Sequence, residues 1–185
     1  MTLGIVALVC LAVAVGLLVR LHTLPTGLTP VGDAVSDYGT TRFHWHYRAM
    51  AVALGAGAIL LALALHRRTN AGNLGWLWAY GASRIAIAAF MTDRDPQRIT
   101  TEGRVHWLLA AIAFTSIAFA GANVHWSGDP SVLRPLGYAV AATAAATLLA
   151  RMVPPLRPAF GLVERALYAT SLAWLLIAAL NVASS

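Results

Sequence analysis

Apolar residues along this chain fall into six long blocks, and a short polar stretch separates each block from the next. The blocks cover residues 3–21, 45–65, 74–91, 105–124, 132–153 and 160–182. An α-helix needs about 20 apolar residues to cross the hydrocarbon core of a bilayer. The pattern therefore predicts an all-α fold, a polytopic membrane bundle of six transmembrane helices that forms one domain over residues 1–185.

The composition agrees with this pattern. The chain is 59% hydrophobic and 11% charged, and its mean hydropathy is +0.70, whereas soluble domains are about 25% charged. The net charge is +6, and all 13 basic residues are arginines. Many arginines flank the apolar blocks and none forms part of a long basic run, so we expect contacts with lipid headgroups and no nucleic-acid partner. The first block lacks a basic stretch before it, and we interpret it as a retained span rather than a signal peptide.

Six spans place both termini on one side and divide the loops between two faces. Face one is the end of the bundle that holds the loops 22–44, 92–104 and 154–159 together with the helix ends beside them. Face two holds the termini and the loops 66–73 and 125–131. Six of the seven acidic residues and four of the six histidines fall on face one. Ionisable groups from distant loops are therefore expected to converge there. Both faces carry arginines, so the orientation in the membrane stays open.

Two short motifs lie between the first and second blocks. Ser36-Asp37-Tyr38-Gly39 indicates an interfacial turn, in which Asp37 also caps the helical segment that follows. His44 and His46 are two residues apart and would share a face only on extended backbone, so one of them at most looks inward at a helix start. Trp45 and Tyr47 indicate an aromatic belt at the membrane interface.

The segment 91–107 concentrates much of the charge. Asp93, Asp95 and His106 bracket the connection between the third and fourth blocks. Carboxylates and neutral imidazole suit a divalent metal such as zinc, and the same groups can work as general acid and base without metal. An interfacial salt-bridge network with the arginines of this segment is the structural alternative. The candidate catalytic residues and candidate metal ligands are the same three: Asp37, Asp93 and His106.

Arg84 lies near the centre of the third block. A charge at that depth costs several kcal/mol unless it is paired or hydrated. It precedes Asp93 by nine residues, about 13 Å along a helix, so its partner must come from another element. Glu164, Asp37 and a substrate anion are the candidates, and a buried structural ion pair is the alternative. The candidate substrate-binding residues are Arg84, Glu164, Arg165 and Ser36.

Four motifs occur along the chain in this order: SDYG after the first block, an acid that closes the third, a histidine that opens the fourth, and GLVER, which opens the sixth. In this order they resemble the bacterial six-helix membrane family known as domain of unknown function nine-nine-eight, which is loosely similar to the Frag1/DRAM/Sfk1 membrane proteins. The resemblance covers essentially the whole chain. It implies an integral protein of the bacterial inner (plasma) membrane. The family's recurrent positions fall on Ser36, Asp37, Gly39, Asp93, His106, Glu164 and Arg165.

This chain departs from that family pattern at two places. Met91-Thr92-Asp93 stands where the family commonly has proline before the acid, and Trp107 follows the histidine where glycine is common. The shape of a pocket near His106 is therefore expected to differ from that of other members. The family name carries no reaction, so the resemblance implies the fold and the site but no activity.

The leading functional hypothesis is a membrane-embedded enzyme that acts on a lipid or other amphiphile. A metal-bound water could hydrolyse an ester or amide, and Arg84 or Arg165 would hold an anionic headgroup. The alternative is a non-enzymatic lipid-binding, transport or assembly protein, whose charged cluster is a structural or proton-handling network. Haem ligation by His44 or His46 with His106, and acid-initiated isoprenoid cyclisation, rank lower. Membrane lipids are the expected partners, and a homo-oligomer or a second membrane protein stays open.

Overall fold

The computed structural model describes residues 2–94 and 99–184, and every regular element within them is helical. Asp95 and Arg98, which the sequence groups with Asp93, lie outside the described residues. Two 3₁₀ helices occupy loops of face one, Val35–Thr40 and Pro154–Ala159. The α-helices are α1 Thr2–Thr23, α2 His44–Arg68, α3 Gly75–Ile87, α4 Thr101–Asn123, α5 Leu133–Met152 and α6 Phe160–Ser184.

Five of the helical stretches are long and apolar enough to cross a membrane: Thr2–Thr23, His44–Arg68, Thr101–Asn123, Leu133–Met152 and Pro154–Ser184. α3 has only 13 residues, about 20 Å of helix against a hydrocarbon core of about 30 Å. After Ile87 the backbone amides of residues 88–90 bond the carbonyls three residues earlier, so the α-helix tightens and ends within the apolar block. The predicted third span, 74–91, thus forms a shorter helix, and α3 is not among the five helical stretches long enough to cross a membrane.

The helices pack against one another in chain order, and α6 returns to α1 and also contacts α2. α2 and α3 approach closely at Gly55 and Gly81, where an added side chain would meet backbone of the other helix. α4 and α5 meet in the same way at Gly121 and Gly137, near face two. Small residues permit such backbone contacts between membrane helices. The core between the helices includes the fully buried side chains Leu11, Leu54, Leu61, Leu65 and Trp174.

The loops predicted to share face one are in contact with one another. The backbone amide of Leu162 donates to the Val31 carbonyl at 3.0 Å, which joins the start of α6 to the loop between α1 and α2. Arg94 Nη2 lies 3.9 Å from Asp33 Oδ1, which joins that loop to the connection between α3 and α4. The ionisable groups of three loops therefore converge at one end of the bundle, as the sequence predicts.

Candidate functional site

Arg165 on α6 holds the loop between α1 and α2. Its Nη1 donates to the carbonyls of Pro30 at 2.8 Å, Asp33 at 2.7 Å and Gly161 at 2.9 Å. Its Nε donates to His22 Nε2 at 2.7 Å. A guanidinium has five N–H groups, so most of those of Arg165 are occupied by the protein itself. The geometry gives Arg165 a positioning role and offers no support for the predicted contact with substrate.

Glu164 and Asp37 bond the first amides of the Val35–Thr40 helix. The buried Glu164 carboxylate accepts from the Val35 amide at 2.6 Å, and Asp37 Oδ2 accepts from the Ala34 amide at 2.8 Å. Amides at a helix start have no partner within the helix, so the two acids satisfy them. Burial raises the pKa of the Asp37 carboxyl above its ordinary value. The SDYG residues form a short 3₁₀ helix that α6 fixes in position. The prediction that Asp37 caps the following helix is wrong, because Asp37 bonds back to the Ala34 amide and Phe43, at the start of α2, forms no side-chain cap bond.

The connection between α3 and α4 is fixed by its own acids. Asp93 Oδ2 accepts from the Thr100 amide at 2.8 Å, and Asp93 Oδ1 accepts from the Thr100 hydroxyl at 2.9 Å. Thr100 in turn caps α4 by accepting from the Gly103 amide at 3.0 Å. Glu102 Oε1 accepts from the Met91 amide at 2.7 Å. A side chain at Gly103 would meet the Asp93 carboxylate, which would then have to move.

His106 is buried on the first turns of α4, with 2% of its surface exposed. Its Nδ1 lies 2.9 Å from the carbonyl oxygen of Phe90. Because a carbonyl only accepts, Nδ1 carries the proton, and in the neutral ring Nε2 is then left as an acceptor. No hydrogen bond joins Nε2 to the part of the chain that the structure describes. His106 is therefore set up as a hydrogen-bond acceptor or proton acceptor.

A cavity of about 420 Å³ begins among these polar groups and continues between α4 and α5. Every candidate site residue except Arg165 lines it. Its polar end is formed by Ser36, Asp37, Arg84, Asp93, His106 and Glu164. Candidate residues from five separate segments of the chain are thus brought to one place.

The rest of the cavity is an apolar groove, which we call the α4–α5 groove and define by the lining residues 107–119 of α4 and 141–151 of α5. Small or apolar side chains from both helices line it, among them Ala111, Phe114, Ala144, Ala145 and Leu148. Ala111, Ala145 and Leu148 line the groove and are also exposed, so the groove is open along both helices. The cavity therefore opens sideways, between two helices that are candidate membrane spans.

Arg151 lies at the face-one end of this groove. Its guanidinium carbon is 5.0 Å from the ring centroid of Trp107 on α4 and 5.8 Å from that of Phe160 on α6. Both distances suit cation–π contacts. An exposed cation thus stands where a headgroup at the membrane interface would meet the cavity.

Arg84 has only 1% of its surface exposed and lines the cavity from α3. Its Nε and Nη2 atoms have no hydrogen-bond partner among the described residues. Its guanidinium carbon lies 5.2 Å from the ring centroid of Tyr168. Within residues 2–94 and 99–184 the ion pairs are Arg94 with Asp33 and His125 with Asp129, so neither Glu164 nor Asp37 pairs with Arg84. No acidic residue within the described ranges therefore forms the buried ion pair that was the structural alternative for Arg84.

The predicted metal-ligand set does not form a metal centre in the described residues. No group of three His, Cys, Asp or Glu side chains is placed to hold a metal ion within residues 2–94 and 99–184. Asp37, Asp93 and His106 line one cavity, yet each already bonds the backbone of its own segment or of a neighbouring one. The donors of these three residues therefore do not fit a three-ligand metal site.

Two predictions about the start of α2 had different outcomes. Trp45 is 66% exposed, which suits the predicted aromatic belt, and His44 packs beside it with ring centroids 5.2 Å apart. The belt prediction for Tyr47 is wrong, because Tyr47 is 1% exposed and lines the cavity. Two residues on a helix differ by about 200° in direction, so Trp45 and Tyr47 face opposite ways. Helix periodicity alone could therefore have predicted that Tyr47 faces the interior when Trp45 faces outward.

The polar residues of this cavity and its groove lie within a stretch that one family model covers. The model described as "Protein of unknown function (DUF998)" matches residues 5–181. The chain belongs to this family. The DUF998 match includes each residue that lines the cavity, and it agrees with the order of motifs in the sequence. No curated protein and no solved structure matches the chain.

Proposed function

We propose that this protein binds a membrane lipid or another amphiphile in the cavity, with the head at the polar end and an apolar chain in the α4–α5 groove. One observation carries the proposal: the cavity joins buried polar groups to an apolar groove that opens on the outside of two candidate membrane spans. Its volume, about 420 Å³, lies in the range of small-molecule sites. A lipid could enter from the bilayer without crossing water.

The same proposal includes a location and a topology. We place the chain in the bacterial inner membrane with six spans, the third formed by α3 and the turn that follows it. The apolar block 74–91 and the packing of α3 between α2 and α4 support this placement. Face one then lies at one membrane interface, which is the depth of a lipid head.

Photo-labelling tests the proposed site. The full chain in liposomes is irradiated with a phospholipid that carries a diazirine near the end of one acyl chain. We expect labelled peptides to come mainly from α4 and α5. Ala145→Trp should reduce this labelling severalfold by filling the groove, whereas Ala142→Trp, at an exposed position of α5 outside the cavity, should not. Equal labelling of all lipid-facing helices, unchanged by Ala145→Trp, would contradict the proposal.

A second candidate function is hydrolysis of the bound amphiphile at an ester or amide bond. His106 favours it, because the bond from Nδ1 to the Phe90 carbonyl leaves Nε2 to accept a proton from water. The water oxygen would add to the carbonyl carbon, and the proton would pass to the leaving group. Asp37 lies at the same polar end, where burial raises the pKa of its carboxyl.

The variant His106→Gln separates catalysis from binding. Its side-chain amide can still donate to the Phe90 carbonyl, but it cannot act as a base at neutral pH. If the protein hydrolyses a lipid, turnover should fall about 10²- to 10⁴-fold while photo-labelling of the groove is retained. Turnover that survives the substitution would exclude His106 as the base. Labelling without turnover of any lipid would leave binding as the function.

A further inference from the structure

We infer that the bound amphiphile has an anionic head, a phosphate or a carboxylate, and that Arg84 binds it through the Nε and Nη2 edge of its guanidinium. This inference rests on the proposed function and names the chemical class of its ligand. Two oxygen atoms of one anion would accept from two N–H groups of one arginine.

The first argument is that two adjacent nitrogen atoms of Arg84 have no hydrogen-bond partner among the described residues. Nε and Nη2 form one edge of the guanidinium, and the N–H groups on that edge point in the same direction. This edge matches the spacing of two oxygens of a carboxylate or a phosphate. Both atoms are inaccessible to solvent and lack a partner among the described residues. Within residues 2–94 and 99–184, Arg84 thus lines the cavity with two adjacent donor atoms that no protein atom accepts from.

The second argument is that the nearby carboxylates already accept hydrogen bonds from other parts of the protein. Glu164 accepts from the Val35 amide, Asp37 from the Ala34 amide, and Asp93 from Thr100. All three line the same cavity as Arg84, yet none of them forms an ion pair with it. A buried charge needs a partner, and the neighbour in contact with the Arg84 guanidinium is the uncharged Tyr168, whose ring centroid lies 5.2 Å from the guanidinium carbon. An anion from outside the protein would supply the partner at the edge.

Further groups in the cavity suit an anion. The Tyr47 hydroxyl is buried, lines the cavity and has no hydrogen-bond partner in the described part of the chain, so it can donate to an oxygen of the head. Arg94, Arg151 and Arg157 also line the cavity, so guanidinium groups outnumber carboxylates among its described lining residues. These features favour an anionic head over a neutral or cationic one.

Competition against the photo-lipid separates the head from the chains. The full chain in neutral phosphatidylcholine nanodiscs is titrated with phosphatidic acid, with diacylglycerol of the same acyl chains, and with inorganic phosphate alone. We expect phosphatidic acid to compete at about tenfold lower concentration than diacylglycerol, because it adds charge-assisted hydrogen bonds. Inorganic phosphate alone should not compete, since it lacks the chain that the groove holds.

Variants of Arg84 complete the test. Arg84→Gln should abolish the preference for phosphatidic acid, and Arg84→Lys should keep part of it, since it retains the charge and loses the fork. Arg134→Gln, an exposed arginine of α5 outside the cavity, should leave the preference unchanged. Without added anionic lipid, Arg84→Gln should unfold at the same or a higher temperature than the natural protein, because it removes an unpartnered buried charge.

The outcomes separate this inference from the proposed function. Equal competition by phosphatidic acid and diacylglycerol, or a preference that survives Arg84→Gln, would overturn the inference and leave a lipid site in place. A lower unfolding temperature of Arg84→Gln with an unchanged preference would assign Arg84 a structural role. Competition by inorganic phosphate alone, at concentrations similar to those of phosphatidic acid, would make the ligand a soluble anion. If neither lipid competes, the proposed function and the inference both fail.

Discussion

The acidic side chains of face one act mainly on backbone amides. Asp93 and Glu102 bond the connection between α3 and α4, while Glu164 and Asp37 bond the start of the Val35–Thr40 helix. Each bond joins segments that would otherwise present unpaired amides near an apolar interior. This explains why a chain with so few charges places them around residue 93. The acids of face one thus hold loops in place, and none of those that the structure describes forms an ion pair with Arg84.

The stability of face one should depend on Arg165. Arg165→Ala removes donors to three carbonyls and to His22, and we expect the free energy of unfolding to fall by about 2–4 kcal/mol. Denaturant unfolding in detergent measures this loss. Arg134→Ala, at an exposed position, should stay within about 0.5 kcal/mol of the natural protein. Similar values for the two variants would show that Arg165 does not hold the loop.

Asp37 should make stability depend on pH. Burial raises its pKa in the folded protein, so the stability linked to its protonated form is fully present below the pKa of the unfolded chain. That stability is lost as pH rises through the higher folded pKa. Asp37→Asn keeps an acceptor for the Ala34 amide and cannot ionise. The stability of the variant relative to the natural protein should therefore increase as pH rises from about 4, the pKa of the unfolded carboxyl, to neutral pH, measured by thermal unfolding. A constant difference across this range would contradict the prediction.

Single residues show where prediction from sequence succeeds and fails. Arg84 could be identified because a charge in the middle of an apolar block is costly wherever the chain folds. The role of Arg165 could not, because it depends on the path of the loop at Pro30 and Asp33, which no periodicity encodes. The prediction for Tyr47 is wrong because Tyr47 and Trp45, two positions apart on a helix, face opposite ways, so that only Trp45 is exposed.

At the scale of elements, the contact between α4 and α5 shapes the groove. The helices touch through Gly121 and Gly137 near face two, and the groove lies between them on the side of face one. A side chain at either glycine would meet the backbone of the other helix. Close contact at one end and an open groove at the other thus come from the positions of two glycines.

Matched glycine substitutions test this contact. Gly137→Ala should lower the free energy of unfolding by about 1–3 kcal/mol, because the added carbon overlaps the Gly121 backbone. Gly16→Ala on α1 should raise it by up to about 1 kcal/mol, since nothing lies within 4 Å of the added carbon and alanine favours the helix. Unfolding in detergent compares the two. Equal effects would show that α4 and α5 do not depend on this contact.

The helices themselves were largely predictable. The apolar blocks gave α1, α2, α5 and α6 nearly to their observed ends, because the length of an apolar run and the turn residues beside it both limit a span. α4 begins at Thr101, before the apolar block, because Thr100, which Asp93 holds in place, caps a polar first turn that hydropathy cannot detect. The early end of α3 could not be predicted, because the tightened turn after Ile87 lies within apolar sequence and carries no polar signal.

At the scale of the whole molecule, the position of the site could be predicted from the sequence, but the shape of its cavity could not. The loops alternate between two faces, which follows from counting spans, so the convergence of acids and histidines on face one was predictable. The groove was not, because it arises from the space between two packed helices and not from the pattern of either one. The membership in the DUF998 family agrees with the predicted bundle and adds no reaction.

The most direct test of the account is the identity of lipids that remain with the purified protein. The full chain is extracted in native nanodiscs, and bound lipids are quantified by mass spectrometry for the natural protein, Ala145→Trp and Ala142→Trp. We expect one class of anionic amphiphile to be enriched over the surrounding membrane in the natural protein and in Ala142→Trp, and the enrichment to be lost in Ala145→Trp. A lipid profile equal to that of the membrane in all three would contradict a lipid site in this cavity.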